Sequence, residues 1–329
     1  MRVLVTGGAG FIGSHLCRRL LADGHAVSVV DNESTGRRAN LPPDVWFASG
    51  DVARVGEVEP AFARGLDAVC HIAGQVSIIR SFTDPVVDLR TNVEGTLNVL
   101  QLCLKHKVPR LLYASSMTLY GDCQTVPTPE TEPCRPDSYY GITKHAAERY
   151  VHSTAERPDL GFDFQVTSLR MYSVYGPGQA LDNPYQGVLG IFLGNLLRGE
   201  PITIFGDGKQ TRDFVYIGDI VDGWVRALQN PATNGRVLNL GSGRSLSINQ
   251  LAEAAIAAFG HPPGTHKVIR APARPGEQRT VQADIQQARA ILGWEPRTTF
   301  EAGLAETLRW ARGEFAANPA IAASRRTAR

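Results

Sequence analysis

The chain has few cysteines, few lysines and no long apolar run. Its cysteines, Cys17, Cys70, Cys103, Cys123 and Cys134, are odd in number and form no Cys-x-x-Cys pair. This pattern is typical of a reduced compartment, and the spacing of cysteine and histidine indicates no metal site. No apolar run approaches the length of a membrane span. The first strand begins at the N-terminus and leaves no room for a signal peptide, so we expect a cytoplasmic protein.

An excess of charge of one sign is also missing. The 34 basic and 32 acidic side chains leave a formal net charge of +2 at pH 7, which gives no reason to expect nucleic acid or a membrane as a partner. Of the 329 residues, 43% are hydrophobic and 20% are charged. This composition is typical of a globular enzyme with one large domain or two joined domains.

The chain does contain a glycine-rich turn between a predicted strand and a predicted helix. The apolar run at 2–5 is typical of a buried parallel strand, and the segment from Ser14 has helical periodicity. Between them, Gly8, Gly10 and Gly13 satisfy the G-x-G-x-x-G pattern of a dinucleotide-binding turn. Glycine in such a turn lets the backbone approach a pyrophosphate at the helix N-terminus.

An acidic residue at the end of the next strand favours NAD as the dinucleotide. The predicted strand at 26–30 ends at Asp31, 18 residues after Gly13. A carboxylate at this place accepts hydrogen bonds from the adenosine ribose and repels a 2′-phosphate. The only hint of NADP is the pair Arg37 and Arg38, which we interpret as solvated loop charges.

A tyrosine and a lysine stand four residues apart in the predicted helix that contains Tyr140-Gly-Ile-Thr-Lys144. Residues with this spacing share a helix face, so we expect the ammonium of Lys144 beside the phenol of Tyr140. A nearby cation favours the phenolate, and we expect a lowered pKa that makes Tyr140 a general base on a sugar or alcohol hydroxyl. Ser115 and Ser116 follow the predicted strand at 110–114, where an open α/β sheet binds ligands, so a hydroxyl there could bridge substrate and Tyr140.

Strands and helices alternate through the first half of the chain. The predicted strands are 2–6, 26–30, 45–48, 67–72, 110–114 and 164–169. The predicted helices are 11–22, 54–64, 85–107 and 138–156. This alternation predicts right-handed crossovers and an α/β fold with a Rossmann-like, doubly wound parallel sheet.

The second half is richer in loops, which predicts a smaller α/β lobe that binds the substrate. We expect residues 1–172 to form the NAD-binding domain, rejoined by about 214–240, because Val237–Leu240 resembles another buried strand. Residues 173–213 and 241–315 would form the substrate lobe. Residues 316–329 would form a flexible tail.

The ordered motifs of the chain resemble those of the extended short-chain dehydrogenases/reductases. In the first half they are Gly7-x-x-Gly10-x-x-Gly13, Asp31, Gly50-Asp51-Val52, His71-Ile-Ala-Gly74, Asn92-Val-x-Gly95-Thr, Ser115-Ser116-x-x-Leu-Tyr-Gly121, Tyr140-x-x-x-Lys144 and Arg170-x-x-x-Val-Tyr-Gly-Pro177. In the second half they are 206–215, 239–243, 274–277, 283–284 and 292–294. Over about residues 1–310 the chain is most similar to the nucleotide-sugar epimerase/dehydratase branch, and within it to UDP-glucose 4-epimerases.

The resemblance implies a set of residues for each ligand. The residues implied for NAD are Gly7, Gly10, Phe11, Ile12, Gly13, Asp31, Asn32, Asp51, Val52, Ile72, Ala73, Gly74, Gln75, Asn92, Ser115, Tyr140, Lys144 and Tyr172. The residues implied for a UDP-sugar are Ser116, Tyr140, Ser173, Phe205, Arg212, Arg274, Glu277 and Val281. Phe205 would stack on the uracil and Glu277 would bind its ribose. Arg212 and Arg274 would neutralise the diphosphate.

The reaction that the resemblance implies is an isomerisation at C4 of the sugar. Tyr140 as phenolate, assisted by Ser116, would remove the proton of the 4-hydroxyl while C4 gives its hydride to NAD. Lys144 would bind the cofactor ribose and, with the positive nicotinamide, keep Tyr140 ionised. The 4-keto sugar would turn about its diphosphate link and be reduced on its opposite face.

Some positions depart from the pattern of relatives. Relatives that eliminate water or carbon dioxide carry acidic residues in the turn after the catalytic serine or threonine, whereas this chain has Met117 and Thr118. Neither side chain protonates a leaving group, which favours simple epimerisation. Ser173 stands where many 4-epimerases have asparagine. Val281 replaces the tyrosine of epimerases restricted to unsubstituted hexoses, which predicts room for a 2-acetamido group.

Alternatives stay open on substrate and on activity. The chain could be an epimerase or reductase of a dTDP-hexose or of UDP-glucuronate, although no arginine stands out in the sequence as partner of a sugar carboxylate. It could also be a non-catalytic NAD-binding regulator, since a fold alone does not prove activity. The helices at 85–107 and 138–156 carry more apolar positions than one sheet face buries, and related proteins dimerise there, so we expect a homodimer.

Overall fold

The computed structural model describes residues 1–181, 183, 187–273 and 278–318. The strands are β1 (Arg2–Thr6), β2 (Ala26–Asp31), β3 (Trp46–Ser49), β4 (Ala68–His71), β5 (Arg110–Ser116), β6 (Gln165–Met171), β7 (Ser173–Tyr175), β8 (Ile202–Phe205), β9 (Thr211–Arg212), β10 (Phe214–Tyr216), β11 (Arg236–Leu240), β12 (Leu246–Ser247) and β13 (Val268–Ala271). The helices are α1 (Phe11–Ala22), α2 (Val55–Phe62), α3 (Ile78–Thr83), α4 (Pro85–Leu89), α5 (Gly95–Lys105), α6 (Tyr139–Ala155), α7 (Val188–Leu197), α8 (Ile217–Gln229), α9 (Ile248–Phe259), α10 (Gln286–Leu292) and α11 (Phe300–Ala317).

Seven strands form one parallel sheet in the order β11-β6-β5-β4-β1-β2-β3. From β1 the chain first builds outward to β2 and β3, and then crosses back to β4 and continues in the other direction. The strand order therefore reverses between β1 and β4, and an α/β sheet binds its ligands at the carboxyl ends of the strands beside such a reversal. The predicted Rossmann-like, doubly wound parallel sheet is confirmed.

Alternating side chains along the strands build a core on each face of the sheet. In β1, Val3 and Val5 pack on the side of α1 and α8, where Trp224 is fully buried. Leu4, between them, points to the opposite side, which α2, α5 and α6 cover. This alternation follows from the two-residue period of a strand, and it fixes the register of the sheet against its helices.

The second half of the chain contributes a strand to the sheet and a separate core. β11 pairs in parallel with β6, and helices α7, α9 and α11 enclose another buried cluster with Tyr175 and Phe214. Short two-stranded sheets, β7 with β10, β8 with β13 and β9 with β12, connect these helices. The division of the chain into domains stays a prediction.

Three helical segments differ from the sequence prediction. The single helix predicted at 85–107 is α4 followed by a π-helical turn, Arg90–Glu94, and then α5. Helix α3 was not predicted; Ser77 caps it by accepting a hydrogen bond from Arg80 N. The last helix continues to Ala317, two residues into the predicted tail, and 319–329 lie outside the described residues.

Across the ranges that the structure describes, no helix is both long enough and apolar enough to cross a membrane.

Candidate active site

A cavity of about 1060 Å³ opens at the carboxyl ends of the central strands and extends toward α7 and β8. Most residues that the resemblance implies for the two ligands line this one cavity. From the NAD set, these are Gly7, Gly10, Phe11, Ile12, Gly13, Asp31, Asn32, Asp51, Val52, Ile72, Ala73, Gly74, Gln75, Ser115, Tyr140 and Tyr172. From the sugar set, they are Ser116, Tyr140, Ser173, Phe205 and Arg212.

The remaining residues of the two sets lie elsewhere. Asn92, Lys144 and Val281 are not among the described residues that line the cavity. Asn92 and Lys144 lie buried directly behind the wall, but Val281 is 3% exposed and packs in the core beside α8 and α10. Arg274 and Glu277 lie outside the described residues.

The glycine turn fits a dinucleotide because its backbone leaves no space for side chains. Gly7 has a φ of +71°, and a Cβ added there would lie 2.7 Å from Ala73 N. A Cβ on Gly13 would lie 2.2 Å from Gly7 O. The turn therefore presents bare backbone at the N-terminus of α1, which is the surface that a pyrophosphate approaches.

Asp31 stands at the end of β2, beside this turn. Its carboxylate accepts hydrogen bonds from Ala9 N at 2.9 Å and from Glu33 N at 2.7 Å. Burial raises the pKa of Asp31, and the backbone donors Glu33 and Ala9 oppose this rise. The carboxylate is thus held rigidly on the cavity wall, in the position expected for the ribose of NAD.

The expected effect of Lys144 on Tyr140 is the main correction that the structure brings. Burial raises the pKa of Tyr140 to about 12, although a hydrogen bond with Ser116 lowers it. The Lys144 ammonium lies over the ring of Tyr113, 4.3 Å from its centroid. The prediction of a lowered pKa for Tyr140 was wrong for the protein without its cofactor. Burying the phenolate costs more free energy than the neighbouring protein groups recover.

Lys144 is itself perturbed by the same burial. Desolvation lowers the pKa of Lys144 to about 7, while the charges of Glu148 and Asp88 raise it. At neutral pH this side chain can therefore be either an ammonium or an amine. A small change in the surrounding charge shifts that balance, which is typical of a functional lysine.

A buried carboxylate that the sequence analysis missed connects three elements behind the cavity. Asp88, on α4, is fully buried and accepts hydrogen bonds from Gln75 Nε2 at 2.6 Å, Asn92 Nδ2 at 3.2 Å and Thr143 Oγ1 at 2.7 Å. Asn92 also accepts from Gln75 N at 2.9 Å. The spacing of Asp88 and Asn92, four residues on one helix, is a signal that could have revealed this network.

A second buried network holds α6 against the strands that end at the site. Glu148 forms an ion pair with Arg170 of β6, with Oε1 2.6 Å from Nη2, and its Oε2 accepts a hydrogen bond from Ser115 at 2.6 Å. Burial raises the pKa of Glu148, but the hydrogen bond and charge of Arg170 lower it further, so the net shift is downward. Glu148 follows Lys144 by one helical turn, so their shared face was visible in the sequence.

The turn after β5 places two hydroxyls together. Residues 117–120 form a 3₁₀ turn in which Ser116 Oγ accepts a hydrogen bond from Thr118 N at 3.3 Å. The two hydroxyl oxygens, Ser116 Oγ and Thr118 Oγ1, are 2.9 Å apart. Both residues line the cavity, and the Met117 side chain packs toward the core instead.

Helix α3 adds a wall and a cation that the sequence did not indicate. Ser77, Ile78, Ile79 and Arg80 line the cavity next to Gln75. Arg80 is exposed, and its guanidinium forms no ion pair with any residue that the structure describes. An arginine is therefore available to an anionic group of a ligand.

Comparison with known proteins identifies the family of this site. The NAD dependent epimerase/dehydratase family matches residues 3–241. The UDP-glucose 4-epimerase of Mycolicibacterium smegmatis is 36% identical over 95% of this chain and 99% of its own length. UDP-glucuronic acid decarboxylase 1 of Xenopus tropicalis is 35% identical over 95% of this chain and 73% of its own length.

Solved structures are similar over almost the whole chain. The UDP-glucose 4-epimerase of Thermotoga maritima with UDP-glucose has a TM-score of 0.90 and 36% identity, and covers 96% of this chain and 100% of that one. The UDP-glucose 4-epimerase of Thermus thermophilus in complex with NAD has a TM-score of 0.87 and 37% identity, and covers 95% of this chain and 99% of that one.

Proposed function

Because this chain belongs to the NAD-dependent epimerase/dehydratase family, whose cofactor is NAD, we propose that it is a UDP-hexose 4-epimerase. The observation that carries this proposal is the shared cavity, which Ser116 and Tyr140 line together with the glycine turn and Arg212. The coarser conclusion, an enzyme family acting on sugar nucleotides, also includes decarboxylases. Thr118 next to Ser116 favours epimerisation, because a threonine hydroxyl does not supply the acid needed for elimination.

The residues on the NAD side would hold the pyrophosphate and the adenosine half of the cofactor. The bare backbone from Gly7 to Gly13 accommodates the pyrophosphate, and Asp31 accepts hydrogen bonds from the adenosine ribose. Asp51 and Val52, which line the same cavity, would hold the adenine. Bound there, NAD would supply the hydride acceptor and donor for C4 of the sugar.

Proton transfer falls to the residues between the two ligand sites. Tyr140 takes the proton of the 4-hydroxyl through its phenolate oxygen and later returns it, and Ser116 hydrogen-bonds this oxygen. Since burial raises the pKa of Tyr140, ionisation needs added positive charge, which the oxidised nicotinamide and the ammonium form of Lys144, four residues further along the same helix, would supply.

The residues on the sugar side bind the nucleotide and leave the hexose free to turn. Phe205, at the end of β8, offers a ring to the uracil. Arg212 is held on the cavity wall by hydrogen bonds from its Nη1 to Thr211 O at 2.7 Å and Gln278 O at 2.9 Å, and we assign it to the diphosphate. Ser173 lies on the same wall.

The proposed acceptance of N-acetylhexosamines does not follow from the small size of Val281. Val281 packs in the core, so its small size does not by itself enlarge the cavity. A Val281→Tyr variant would overpack this core and lose stability. The comparison of UDP-galactose with UDP-N-acetylgalactosamine on the unaltered protein is therefore the cleaner measurement.

UDP-glucuronate is a second candidate substrate, and Arg80 is the observation that favours it. A guanidinium on the wall of the cavity could pair with the sugar carboxylate. Arg80→Gln should then lower kcat/KM for UDP-glucuronate by about tenfold, the factor for about 1.4 kcal/mol, and leave UDP-galactose unaffected. Arg149→Gln, an exposed arginine of α6 outside this cavity, is the matched control.

We also propose a homodimer formed through α4 and α6. Apolar side chains remain exposed on this side of the molecule, namely Phe82, Val86, Leu89, Tyr139, Ile142 and Tyr150. Helices α3 and α4 pack against α6, and the rings of Phe82 and Tyr139 lie 5.1 Å apart. These residues form one apolar surface of the kind that protein interfaces cover.

The decisive experiment incubates the purified protein with UDP-hexoses, UDP-N-acetylhexosamines, UDP-glucuronate and dTDP-glucose and identifies the products by NMR. We expect interconversion at C4 without added cofactor. A 4-keto-6-deoxy product, release of carbon dioxide from UDP-glucuronate, or NAD binding without turnover would each contradict the proposal. Tyr140→Phe should abolish turnover and still bind NAD.

A further inference from the structure

Thr118 makes two contacts with one atom of the catalytic serine. Its backbone N–H donates to Ser116 Oγ at 3.3 Å, and its hydroxyl oxygen lies 2.9 Å from the same atom. Ser116 and Tyr140 line the same cavity, and a hydrogen bond with Ser116 lowers the pKa of Tyr140 against the effect of burial. Thr118 is 7% exposed and lines the cavity, so three hydroxyls follow one another from the wall of the site to the phenol.

The number of protons and lone pairs restricts how these hydroxyls can be oriented. A serine oxygen carries one proton and two lone pairs. The Thr118 N–H occupies one lone pair of Ser116 Oγ. If the Thr118 hydroxyl occupies the other, the Ser116 proton is free to point at Tyr140; if Thr118 accepts instead, that proton is withdrawn from Tyr140.

In the part of the chain that the structure describes, no other side chain or backbone group competes with Ser116 for a hydrogen bond with the Thr118 hydroxyl. Among the residues that the structure describes, Ser116 Oγ is its sole hydrogen-bonding partner. The direction of this hydrogen bond therefore depends on Ser116 and, through it, on the protonation of Tyr140.

We propose that Thr118 is a positioning residue that directs the Ser116 proton toward the Tyr140 oxygen, so that Thr118, Ser116 and Tyr140 act as a reversible chain of hydroxyls. This inference rests on the proposed function, whose general base it orients. While Tyr140 is a phenolate, Thr118 donates to Ser116 and Ser116 donates to Tyr140.

The chain reverses when the proton of the sugar 4-hydroxyl has moved to Tyr140. Tyr140 then donates to Ser116, and Ser116 donates to Thr118. Each hydroxyl keeps its own hydrogen and only rotates, so no covalent bond of either Ser116 or Thr118 breaks. The one proton transferred moves between substrate and Tyr140, and the second half of the reaction restores the first orientation.

The competing explanation is that Thr118 only shapes the turn. The N–H of Thr118 already provides the hydrogen bond that caps this 3₁₀ turn. Thr118→Val keeps that N–H and nearly the same shape, and removes only the hydroxyl. Thr118→Ser keeps the hydroxyl and removes a methyl group. The two variants therefore separate the hydroxyl from the shape.

The test follows two quantities in the NAD-loaded protein. The first is kcat and KM on the UDP-sugar that the unaltered protein converts. The second is the phenolate absorbance against pH, with Tyr140→Phe as the blank. We expect Thr118→Val to lower kcat by about tenfold or more, to change KM little, and to move the ionisation of Tyr140 by about one pH unit upward. Thr118→Ser, which keeps a hydroxyl, should retain the kcat and the Tyr140 ionisation of the unaltered protein.

The outcomes that would overturn the inference are distinct from failure of the proposed function. Unchanged kcat and unchanged Tyr140 ionisation in Thr118→Val would overturn it, as would an equal loss in Thr118→Ser. If the protein converts no sugar nucleotide, the proposed function fails, and the absorbance titration, which needs NAD alone, still decides the role of Thr118. Thr118→Ala serves as the second variant without a hydroxyl if valine crowds the turn.

Discussion

At the scale of single residues, the site depends on groups that burial holds in their less reactive forms. The proposed mechanism needs Tyr140 as a phenolate, but burial raises its pKa to about 12. It also needs Lys144 as a cation, but burial lowers its pKa to about 7. Each group therefore responds strongly to any charge placed beside it, because a buried site screens charge weakly.

This sensitivity predicts that the redox state of the cofactor controls the ionisation of Tyr140. The oxidised nicotinamide is positively charged and favours the phenolate, whereas the reduced ring is neutral. We expect Tyr140 to ionise at lower pH in the NAD-loaded protein than in the NADH-loaded protein. Phenolate absorbance against pH measures this, and the signal should vanish in Tyr140→Phe. Equal titration with the two cofactors would contradict the prediction.

The ion pair of Glu148 with Arg170 predicts a large loss of stability when one partner is neutralised. Both side chains are almost fully buried, so Glu148→Gln leaves the Arg170 charge without a counter-charge in the interior. The expected loss is about 3–5 kcal/mol, measured by chemical denaturation at neutral pH. The control is Glu156→Gln, at the exposed C-terminal end of the same helix. This change should alter the free energy of unfolding by less than about 0.5 kcal/mol.

Sequence patterns predicted the relative placement of the candidate catalytic residues, but not their environment. The four-residue spacing of Tyr140 and Lys144 placed both on one helix face, since helical geometry is local. The stacking of Lys144 on Tyr113 was not visible, because that contact joins α6 to β5. Arg80 was missed for a similar reason: its helix is short, and its position on the cavity wall comes from tertiary packing.

At the scale of elements, a single histidine ties two strands and a helix together beneath the site. His71 Nδ1 lies 2.7 Å from Thr6 Oγ1 of β1, and its Nε2 lies 3.0 Å from Thr96 Oγ1 of α5. Burial, aided by the charge of Lys144, lowers the pKa of His71 to about 3. The imidazole is therefore neutral in the folded protein at any mild pH.

This histidine predicts a definite dependence of stability on pH. In the unfolded chain it titrates near about 6.5, so between that value and about 3 the unfolded state binds one more proton than the folded state. Its contribution to stability is complete above about 6.5 and declines as pH falls, by up to about 1.4 kcal/mol per pH unit. Glutamine does not titrate, so in His71→Gln the free energy of unfolding should fall less steeply as the pH decreases, by up to about 1.4 kcal/mol per pH unit.

The measurement is the free energy of unfolding at several pH values between about 4 and about 7, within the window given by the shifted pKa of His71. His261→Gln, at an exposed position, is the control and should keep the slope of the unaltered protein. A slope that is unchanged in His71→Gln would contradict the prediction.

Periodicity predicted the long elements well and the short ones poorly. Helix α1 has the predicted bounds, because its apolar residues repeat at helical spacing over three turns. Helix α3 has only six residues, too few for a periodic signal. The π turn was not predicted, because its residues have the same composition as the neighbouring helix and it differs only in its hydrogen bonding.

At the scale of the whole molecule, the exposed apolar surface of α4 and α6 predicts how the protein associates. Leu89 and Ile142 are 52% and 49% exposed on that surface. Replacing both with glutamate should convert a dimer to a monomer, because a charge in an apolar interface is desolvated without a partner. Sedimentation velocity measures the change.

The control for this prediction is Val268→Glu, an exposed apolar residue of β13 in the second half of the chain, which should leave the dimer intact. If the unaltered protein sediments as a monomer at all concentrations, the proposed dimer is wrong. The sequence predicted the helices concerned but not which of their apolar residues stay exposed, since that depends on how α3 covers α6.

The π turn at Arg90–Glu94 sets the rotational phase between α4 and α5. Such a turn holds one more residue than an α-helical turn, and each residue of an α-helix advances its side chains by about 100°. Asp88 before the turn faces Thr143, and Thr96 after it faces His71. If the same residues formed a regular α-helix instead, α5 would be rotated by about 100° relative to α4, and one of these side chains would turn away from its partner. The π turn therefore takes up one residue more than a regular helix would hold between these two contacts.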